Sequence, residues 1–279
     1  MLQHLEKKNV TMLPGLFRER MLVNRNYLLE LGTQELLQNY YLEAGIVMPD
    51  LQVLEKPETA KLHWGWEAPT CQLRGHFLGH WLSAASSLIA SENDAALKAK
   101  LDEIISELAR CQELNGGEWI GPFPEKYFTR LEKELDIWSP QYVMHKLIMG
   151  LTHAYLYADN EQALTIVRHL ADWYIRWTEK VQSTNPHAVY SGEESGMLEM
   201  WAQLFETTKD PVYETLASRY SNPSLFHNLS EGKDALTNCH TNSSIPWAHG
   251  AARMYEVTGD EKYKTIVELF WKCAVTDRG

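Results

Sequence analysis

The sequence predicts an all-α fold built of repeated helical hairpins. Its strongest signal is a pattern that recurs every 50 residues, since the segments 155–167, 205–217 and 255–267 align without a gap. In each segment an apolar helical stretch ends at an aromatic residue, a short turn carries Asn or Asp, and an amphipathic stretch follows. Helical spacing dominates the rest of the chain, and strand-like alternation is almost absent. Hairpins of this kind stack because each needs neighbours to cover its apolar face.

The elements follow in order along the chain. Residues 16–44 carry apolar residues at helical spacing, with a break near Gly32, and a loop rich in Pro, Trp and Gly continues to about residue 73. A looser copy of the repeat lies at 87–101. No low-complexity linker interrupts the chain, so we expect one domain over residues 1–279. The paired helices are predicted at 75–91 and 95–114, 139–158 and 160–180, 194–208 and 211–221, and 243–258 and 261–275.

Short polar side chains mark the turns between paired helices. Asn160, Asp210 and Asp260 occupy equivalent positions of the repeat. Each can accept hydrogen bonds from the free N–H groups of the following helix, which ends one helix and begins the next. Other residues receive a structural interpretation. Close helix packing is expected at Gly75, Gly79 and Gly150, and a core position at Trp81, Trp173, Trp177 and Trp271.

Composition and charge limit the classes of partner. The 26 Lys and Arg against 37 Asp and Glu give 26 − 37 = −11, which opposes binding to nucleic acid. No continuous apolar segment approaches the ~20 residues of a membrane span. The N-terminus lacks the continuous apolar core, followed by small residues, of an export signal. We therefore expect no nucleic-acid or membrane partner and a cytoplasmic location. The four cysteines, Cys71, Cys111, Cys239 and Cys273, form no CxxC pair and are expected to be free thiols without a metal.

Aromatic and polar residues cluster where the first helix of each hairpin begins. If the hairpins stack around a common axis, these ends converge and line a pocket. Aromatic faces pack on a sugar ring, while His, Glu and Asn pair with hydroxyls, so the mixture favours a carbohydrate. The clusters contain Trp64, Trp66, Glu67, His76 and His80; Trp138, Tyr142 and His145; Tyr190, Glu193 and Glu194; and His240, Asn242, Trp247 and His249.

Two pairs allow more than one interpretation. His76 and His80 share a helix face and could bind a substrate or a loop, lie in the core, or bind a metal. Phe77 stands where a zinc protease of the HExxH type needs its Glu, so that activity is excluded. Glu193 and Glu194 could stabilise a helix N-terminus, or one of them could be buried in the pocket and bind hydroxyls.

Six ordered motifs resemble one family of glycoside hydrolases. They are RGHFLGHWLSA (74–84), LARCQELNGG (108–117), GPFPEKYFTRLE (121–132), IWSPQYVMHK (137–146), GEESGMLEM (192–200) and CHTNSSIPWAHGAARMYEVTGD (239–260). Together they resemble the catalytic domain of the beta-L-arabinofuranosidase-like family 127, from about residue 15 to the end of the chain. The resemblance implies an (α/α)6 toroid with a central active site that hydrolyses terminal beta-L-arabinofuranosides with retention.

The resemblance also implies a set of sugar-contacting residues. His145 lies in a match to a W-x-P-x-Y-x-x-H-K motif, which also contains Trp138 and Tyr142. The other contacts implied are Glu193 and Glu194 in an EE-x-G-M element, His240 in an H-x-N-x-x-I-P element, His76 and His80 in a G-H-x-x-G-H element, and Trp66 with Glu67 at the rim.

The catalytic groups of the family have no counterpart in this sequence. In the resembling enzymes a zinc-bound Cys is the nucleophile and a Glu is the acid, and both lie beyond the region that matches this chain. Cys239 and Cys273 are outside that motif. We therefore expect an incomplete toroid, which is the N-terminal part of a longer enzyme, the product of a truncated gene, or a piece that needs a second chain. It is expected to carry sugar-binding residues, no catalytic residue and no zinc, and to be inactive alone.

Other classes of function remain open. A noncatalytic carbohydrate-binding or helical scaffold protein could be built from the same helices, whereas a tetratricopeptide solenoid is disfavoured because its period is ~34 residues. Four hairpins and an N-terminal helix cannot close a ring of six hairpins. The last hairpin, which ends at Phe270, Trp271 and Cys273, is therefore expected to keep an uncovered apolar face and to self-associate through it.

Overall fold

The computed structural model describes residues 5–47, 62–221 and 223–278, which form twelve α-helices and no strand. The all-α class predicted from the sequence is confirmed. Contacts divide the chain into two compact units. Unit 1 contains the described residues of Met1–Glu125 and Lys146–Leu170, and unit 2 those of Lys126–His145 and Ala171–Gly279.

Unit 1 is built on two hairpins. Helices α2 and α3 both pack on α4, and α1 contacts α3 and α4. The core contains the fully buried Leu37, Leu101 and Ile104. Trp81 is also buried there, and its indole N–H donates to the carbonyl of Leu28 at 3.1 Å, so the ring is covered without an unpaired polar atom. The helices are α1 (Leu16–Glu30), α2 (Thr33–Glu43), α3 (His76–Glu92), α4 (Ala95–Leu114), and parts of α6 (Pro140–Ala158) and α7 (Glu161–Thr184).

Unit 2 holds the later hairpins and an aromatic core. Phe128 meets the rings of Trp173 and Trp177 edge-on, each with a centroid separation of 4.9 Å, a favourable arrangement for aromatic pairs. Helix α8 packs on α9 and α11, and α11 packs on α12. The remaining helices are α5 (Lys126–Glu132), α8 (Met197–Thr208), α9 (Pro211–Tyr220), α10 (Ser224–Ser230), α11 (Thr241–Thr258) and α12 (Glu261–Trp271).

The predicted turn residues occupy equivalent turns between helices. Asp210 accepts from the backbone N–H of Val212, and Asp260 accepts from that of Lys262. The side-chain oxygen of Asn160 accepts from Ala163 N–H. Asp94 does the same at the start of α4, in the looser copy of the repeat. These bonds satisfy N–H groups that the first turn of a helix leaves unpaired.

The structure corrects the sequence analysis at two kinds of position. Helices α5 and α10 were not predicted, because seven residues are too few to display helical periodicity. Trp81, Trp173 and Trp177 are buried as predicted, but the prediction of a core position for Trp271 is wrong. Trp271 is 64% exposed, since no described helix of unit 2 covers that face at the end of α12.

Close packing explains two of the glycines. A methyl group on Gly79 of α3 would lie 2.0 Å from the carbonyl oxygen of Lys146 on α6. One on Gly150 would lie 2.6 Å from the carbonyl oxygen of Gly79. Both obstacles are backbone atoms, so only glycine allows α3 and α6 to approach this closely. Gly75 has a φ of 89°, a left-handed conformation that glycine adopts readily, and a methyl group on it would lie 2.3 Å from the side chain of Pro122. Among the described helices, none is long and apolar enough to cross a membrane.

Candidate functional site

The predicted site residues form two groups, one in each unit. The His145–Glu194 cluster lies in unit 2 and comprises the predicted Tyr142, His145, Glu193 and Glu194, together with Gly196, which was not predicted. The Glu67–His76 cluster lies in unit 1 and comprises Trp66, Glu67, His76 and His80.

Helix α6 presents two members of the His145–Glu194 cluster. Tyr142 and His145 are three residues apart, so they share a helix face. The backbone N–H of Tyr142 is in the first turn of α6 and donates to the carbonyl of Gly192 at 3.2 Å. This bond joins the start of α6 to the segment that carries the two carboxyl groups.

The carboxyl groups follow a tight left-handed turn. Gly192 has a φ of 79° and Glu193 a φ of 59°, so two successive residues adopt the left-handed region. A 3₁₀ turn, Glu194–Gly196, comes next and leads into α8. Glu193 is the N-cap residue of this turn, but its carboxyl group forms no capping hydrogen bond. Glu194 is the buried member of the pair, and its carboxyl group accepts a hydrogen bond from its own backbone N–H in the first turn.

His145 lies directly against this turn. Its side chain is buried, with 6% exposed. A methyl group on Gly196 would lie 2.2 Å from Cε1 of His145, 2.5 Å from Nδ1 and 2.6 Å from Nε2. The imidazole ring therefore occupies the space that any side chain at residue 196 would need. Because Gly196 follows Glu194 by two residues, this packing places His145 and Glu194 in one cluster.

Burial alters the proton affinities in the cluster. The pKa of Glu194 is raised to about 7, chiefly by desolvation; a hydrogen bond from its own backbone N–H opposes this rise, and the neighbouring charge of Glu193 contributes to it. Burial and, secondarily, Glu193 also raise the pKa of the Tyr142 hydroxyl. A carboxyl group with a pKa near 7 exists in both forms at neutral pH. When protonated, it donates as well as accepts hydrogen bonds.

The Glu67–His76 cluster surrounds the start of α3. One carboxylate oxygen of Glu67 accepts from the N–H of Gly75 at 2.7 Å, and the other accepts from the N–H of Phe77 at 2.9 Å. Nδ1 of His76 lies 2.7 Å from the second oxygen. Burial alone would raise the pKa of Glu67, but the hydrogen bonds from His76 and from the two N–H groups lower it overall. Glu67 is thus a stable anion at the N-terminus of this helix.

His80 extends this cluster along α3. Its ring meets that of His76 edge-on, with centroids 6.0 Å apart. His80 keeps an exposed surface, yet the protein around its ring partly desolvates it, which lowers its pKa to about 4, and the positive charge of Lys146 contributes. His80 is therefore a neutral hydrogen-bonding group near pH 7. Of the alternatives left open for the pair, His76 adopts the loop-binding one, because it pairs with Glu67 of the preceding segment.

The remaining predicted contacts lie at the surface. Trp66 is 62% exposed, with its ring 6.2 Å from that of His76. Trp138 is 45% exposed just before α6. His240 is exposed immediately before α11, the helix that packs on the Glu194–Gly196 turn.

Three residues that hold the His145–Glu194 cluster were missed from the sequence. Gly196 lies inside the EE-x-G-M element, and Gln141 lies inside the W-x-P-x-Y-x-x-H-K element. Both positions were visible within their motifs, but a side chain's contacts across the fold were not. Tyr220, whose hydroxyl donates to Gln141 at 2.5 Å, carried no sequence signal.

The described residues do not fit the zinc–thiolate centre that the resemblance implies for complete enzymes. Cys71 is half-buried, Cys111 and Cys273 are buried, and Cys239 is exposed. Within residues 5–47, 62–221 and 223–278, no three His, Cys, Asp or Glu side chains are grouped closely enough to hold a metal ion. No chemical step is therefore assigned to a metal.

Comparisons with known proteins agree with the fold and the motifs. The model of the "Beta-L-arabinofuranosidase, GH127 catalytic domain" family matches residues 9–279. Among solved structures, the chain is similar to a GH127 beta-L-arabinofuranosidase from Geobacillus stearothermophilus T6, with 14% identity and a TM-score of 0.59. The match covers 95% of this chain and 45% of that chain. A comparison with curated proteins found no match.

The structural match confirms the toroid-type hairpin fold predicted from the sequence, since a TM-score of this size reflects a shared arrangement of helices. The chain spans less than half the length of that enzyme. The family model, in contrast, covers almost every residue of the sequence. This protein therefore belongs to the GH127 beta-L-arabinofuranosidase family.

Proposed function

We propose that the chain binds a terminal beta-L-arabinofuranoside through the His145–Glu194 cluster. The observation that carries this proposal is the burial of both the His145 imidazole and the Glu194 carboxyl group, with the imidazole packed against Gly196, two residues after Glu194. An imidazole and a carboxyl group that titrates near neutral pH can both donate and accept hydrogen bonds, so this cluster is suited to a ligand that supplies hydroxyls. The family supports a furanoside as that ligand.

Each member of the cluster has a distinct part in this proposal. His145 and Glu194 exchange hydrogen bonds with sugar hydroxyls, and protonated Glu194 can donate to one hydroxyl oxygen while accepting from another. Tyr142 offers an aromatic face to the apolar side of the ring. In unit 2, the exposed Trp138 and His240 are proposed as outer contacts. In unit 1, the Glu67–His76 cluster with the exposed Trp66 is proposed separately as a group of hydroxyl-binding residues.

Hydrolysis is not part of the proposal for this chain alone. No described residue is assigned the role of nucleophile or acid, since the resemblance places those groups beyond the region that matches this chain. We propose that the chain corresponds to part of a larger GH127 catalytic domain. A noncatalytic carbohydrate-binding protein is the alternative, and it shares the same sugar-binding prediction.

Calorimetric titration with methyl beta-L-arabinofuranoside tests the binding. We expect binding by the wild type, and His145→Ala to raise Kd about tenfold, because one lost hydrogen bond costs about 1.4 kcal/mol. His169→Ala is the matched control, since His169 is exposed on α7. Absence of binding by folded wild type, or an equal effect of the two variants, would contradict the proposal.

We also propose that copies of the chain associate through the end of unit 2. A groove of about 480 Å³ lies between α11 and α12, and apolar side chains dominate its lining. Trp271, Ile245 and Val275 line it and are exposed. Contiguous exposed apolar surface of this kind is uncommon on monomers, and a second copy offers the same surface in return.

A further inference from the structure

Gln141 forms an unusual set of hydrogen bonds for a side chain outside the predicted site. It is fully buried in the first turn of α6. Its amide nitrogen lies 2.6 Å from the carbonyl oxygen of Ser191, 3.0 Å from that of Val189 and 3.3 Å from that of Ala188. A single side chain thereby fixes the backbone of residues 188–191, which runs directly into Gly192 and the carboxyl turn.

The amide of Gln141 is itself oriented. Its oxygen accepts from the hydroxyl of Tyr220 at 2.5 Å, and Tyr220 is fully buried. The nitrogen must consequently face the three carbonyl groups, because the oxygen is occupied on the other side. A second tie secures the same segment, since the hydroxyl of Tyr190 donates to the carbonyl of Arg219 at 2.9 Å.

The carboxyl turn depends on this support because its own conformation is unfavourable. Glu193 is not a glycine, yet it has a φ of 59°. Such a conformation costs free energy and persists only where the surrounding structure imposes it. The bonds of Gln141 end one residue before Gly192, and the N–H of Tyr142, next to Gln141 in sequence, holds the carbonyl of Gly192 itself.

We propose that Gln141 is a positioning residue for Glu194, which holds the carboxyl turn against His145 so that the pair is arranged before a sugar arrives. The inference rests on the proposed function only for what the positioned carboxyl group binds. Gln141 contacts no sugar in this account and acts through the backbone of 188–191.

The chain provides a matched control in Gln112. It is also buried, and its amide nitrogen donates to the carbonyls of Glu118 and Ile166 at 2.9 and 3.0 Å. It lies in unit 1 and holds a segment without any predicted sugar contact. Replacing either glutamine by methionine preserves the size of the side chain and removes the donor, so the two variants lose similar bonds at different places.

The test measures the carboxyl group directly, by ¹³C NMR of the 279-residue chain with labelled glutamate, with Glu194 assigned through Glu194→Gln. Wild type should show a carboxyl titration near pH 7. In Gln141→Met the loosened turn admits water, so the midpoint of the Glu194 titration should fall by about one pH unit or more. Gln112→Met should leave it unchanged. The titratable groups that act electrostatically on or with Glu194 are Glu193 and the Tyr220 hydroxyl, and neither is altered in Gln141→Met or Gln112→Met.

Binding of methyl beta-L-arabinofuranoside, measured on the same samples, should weaken about tenfold in Gln141→Met and remain unchanged in Gln112→Met. If Gln141→Met does not fold, Tyr220→Phe removes only the hydroxyl that orients the amide and should produce a smaller shift in the same direction. An unchanged midpoint in a folded variant of either residue would overturn the inference. A shifted midpoint in a protein that binds no sugar would instead refute the proposed function and leave the positioning role standing.

Discussion

Substituting Gly196 by alanine probes the geometry of the His145–Glu194 cluster without touching any group that contacts the sugar. Gly196 has a φ of −83°, which alanine adopts without strain. The three atoms nearest to the new methyl group all belong to the ring of His145, whose Cε1 atom would lie 2.2 Å away. The substitution therefore acts as a displacement of His145.

The size of the displacement follows from the contact distance. Carbon atoms in contact are separated by about 3.7 Å. Since 3.7 − 2.2 = 1.5, the ring has to move by about 1.5 Å, and a hydrogen bond of 2.9 Å does not survive such a shift. We expect the Kd for methyl beta-L-arabinofuranoside to rise about tenfold. Overpacking should also lower the free energy of unfolding by about 1–3 kcal/mol.

A double-mutant cycle separates this effect from general damage. If Gly196→Ala acts through His145, the double variant with His145→Ala should bind as weakly as His145→Ala alone and no weaker. Its stability should also recover relative to Gly196→Ala, because removal of the imidazole makes room for the methyl group. Calorimetry and urea unfolding measure the two quantities.

Gly32→Ala provides the control, because the methyl group there would meet only the flexible end of Glu35. We expect nearly unchanged binding and stability. Wild-type affinity in Gly196→Ala, or losses in the double variant that equal the sum of the single ones, would refute the arrangement of His145 against the carboxyl turn.

Further predictions concern protonation, helix caps, association and metal. Glu194 has a pKa of about 7 in the folded chain, compared with 4.5 for an ordinary glutamate, so only the folded state keeps the proton between these two pH values. The free energy of unfolding should therefore fall by about 3 kcal/mol as the pH rises from 4.5 to about 7. Urea unfolding at a series of pH values should show this decrease in the wild type and not in Glu194→Gln. Asp210→Ala should lower the free energy of unfolding by about 1 kcal/mol, because it removes the hydrogen bond from Val212 N–H. The control is Asp172→Ala, at an exposed position on α7, which should change the free energy of unfolding by less than about 0.5 kcal/mol. A larger loss of stability in Asp172→Ala than in Asp210→Ala would contradict the cap assignment. Light scattering should show association of the wild type and a monomer for Trp271→Ser, and a wild type that stays monomeric at high concentration would exclude the proposed contact. Purified protein should contain no stoichiometric zinc and should not hydrolyse aryl beta-L-arabinofuranosides, and turnover abolished by Cys239→Ser or Cys273→Ser would contradict this.

Most of the helices could be predicted because their ends depend on interactions between residues that are close in the sequence. Asn160, Asp210 and Asp260 stop and start helices through bonds to the next few residues, so their position in the sequence is enough to place a turn. The break near Gly32 was found for a similar reason. The exposure of Trp271 could not be found this way. Whether one side of a helix is covered depends on distant segments, which periodicity does not record.

The candidate site was predicted in its residue types and only partly in its contacts. The motifs indicated His145, Glu194 and His76, but not the left-handed turn at Glu193 or the pairing of His76 with Glu67. Both features arise from how separate helices meet. The choice between a helix cap and a buried carboxyl group at Glu194 likewise depends on burial, which neighbouring residues alone do not determine.

A crystal structure of the chain soaked with methyl beta-L-arabinofuranoside tests the central claim most directly. The account predicts a furanose ring whose hydroxyls lie within hydrogen-bonding distance of the His145 imidazole and of the Glu194 carboxyl group. A sugar bound elsewhere, with the His145–Glu194 cluster in contact with protein alone, would contradict it.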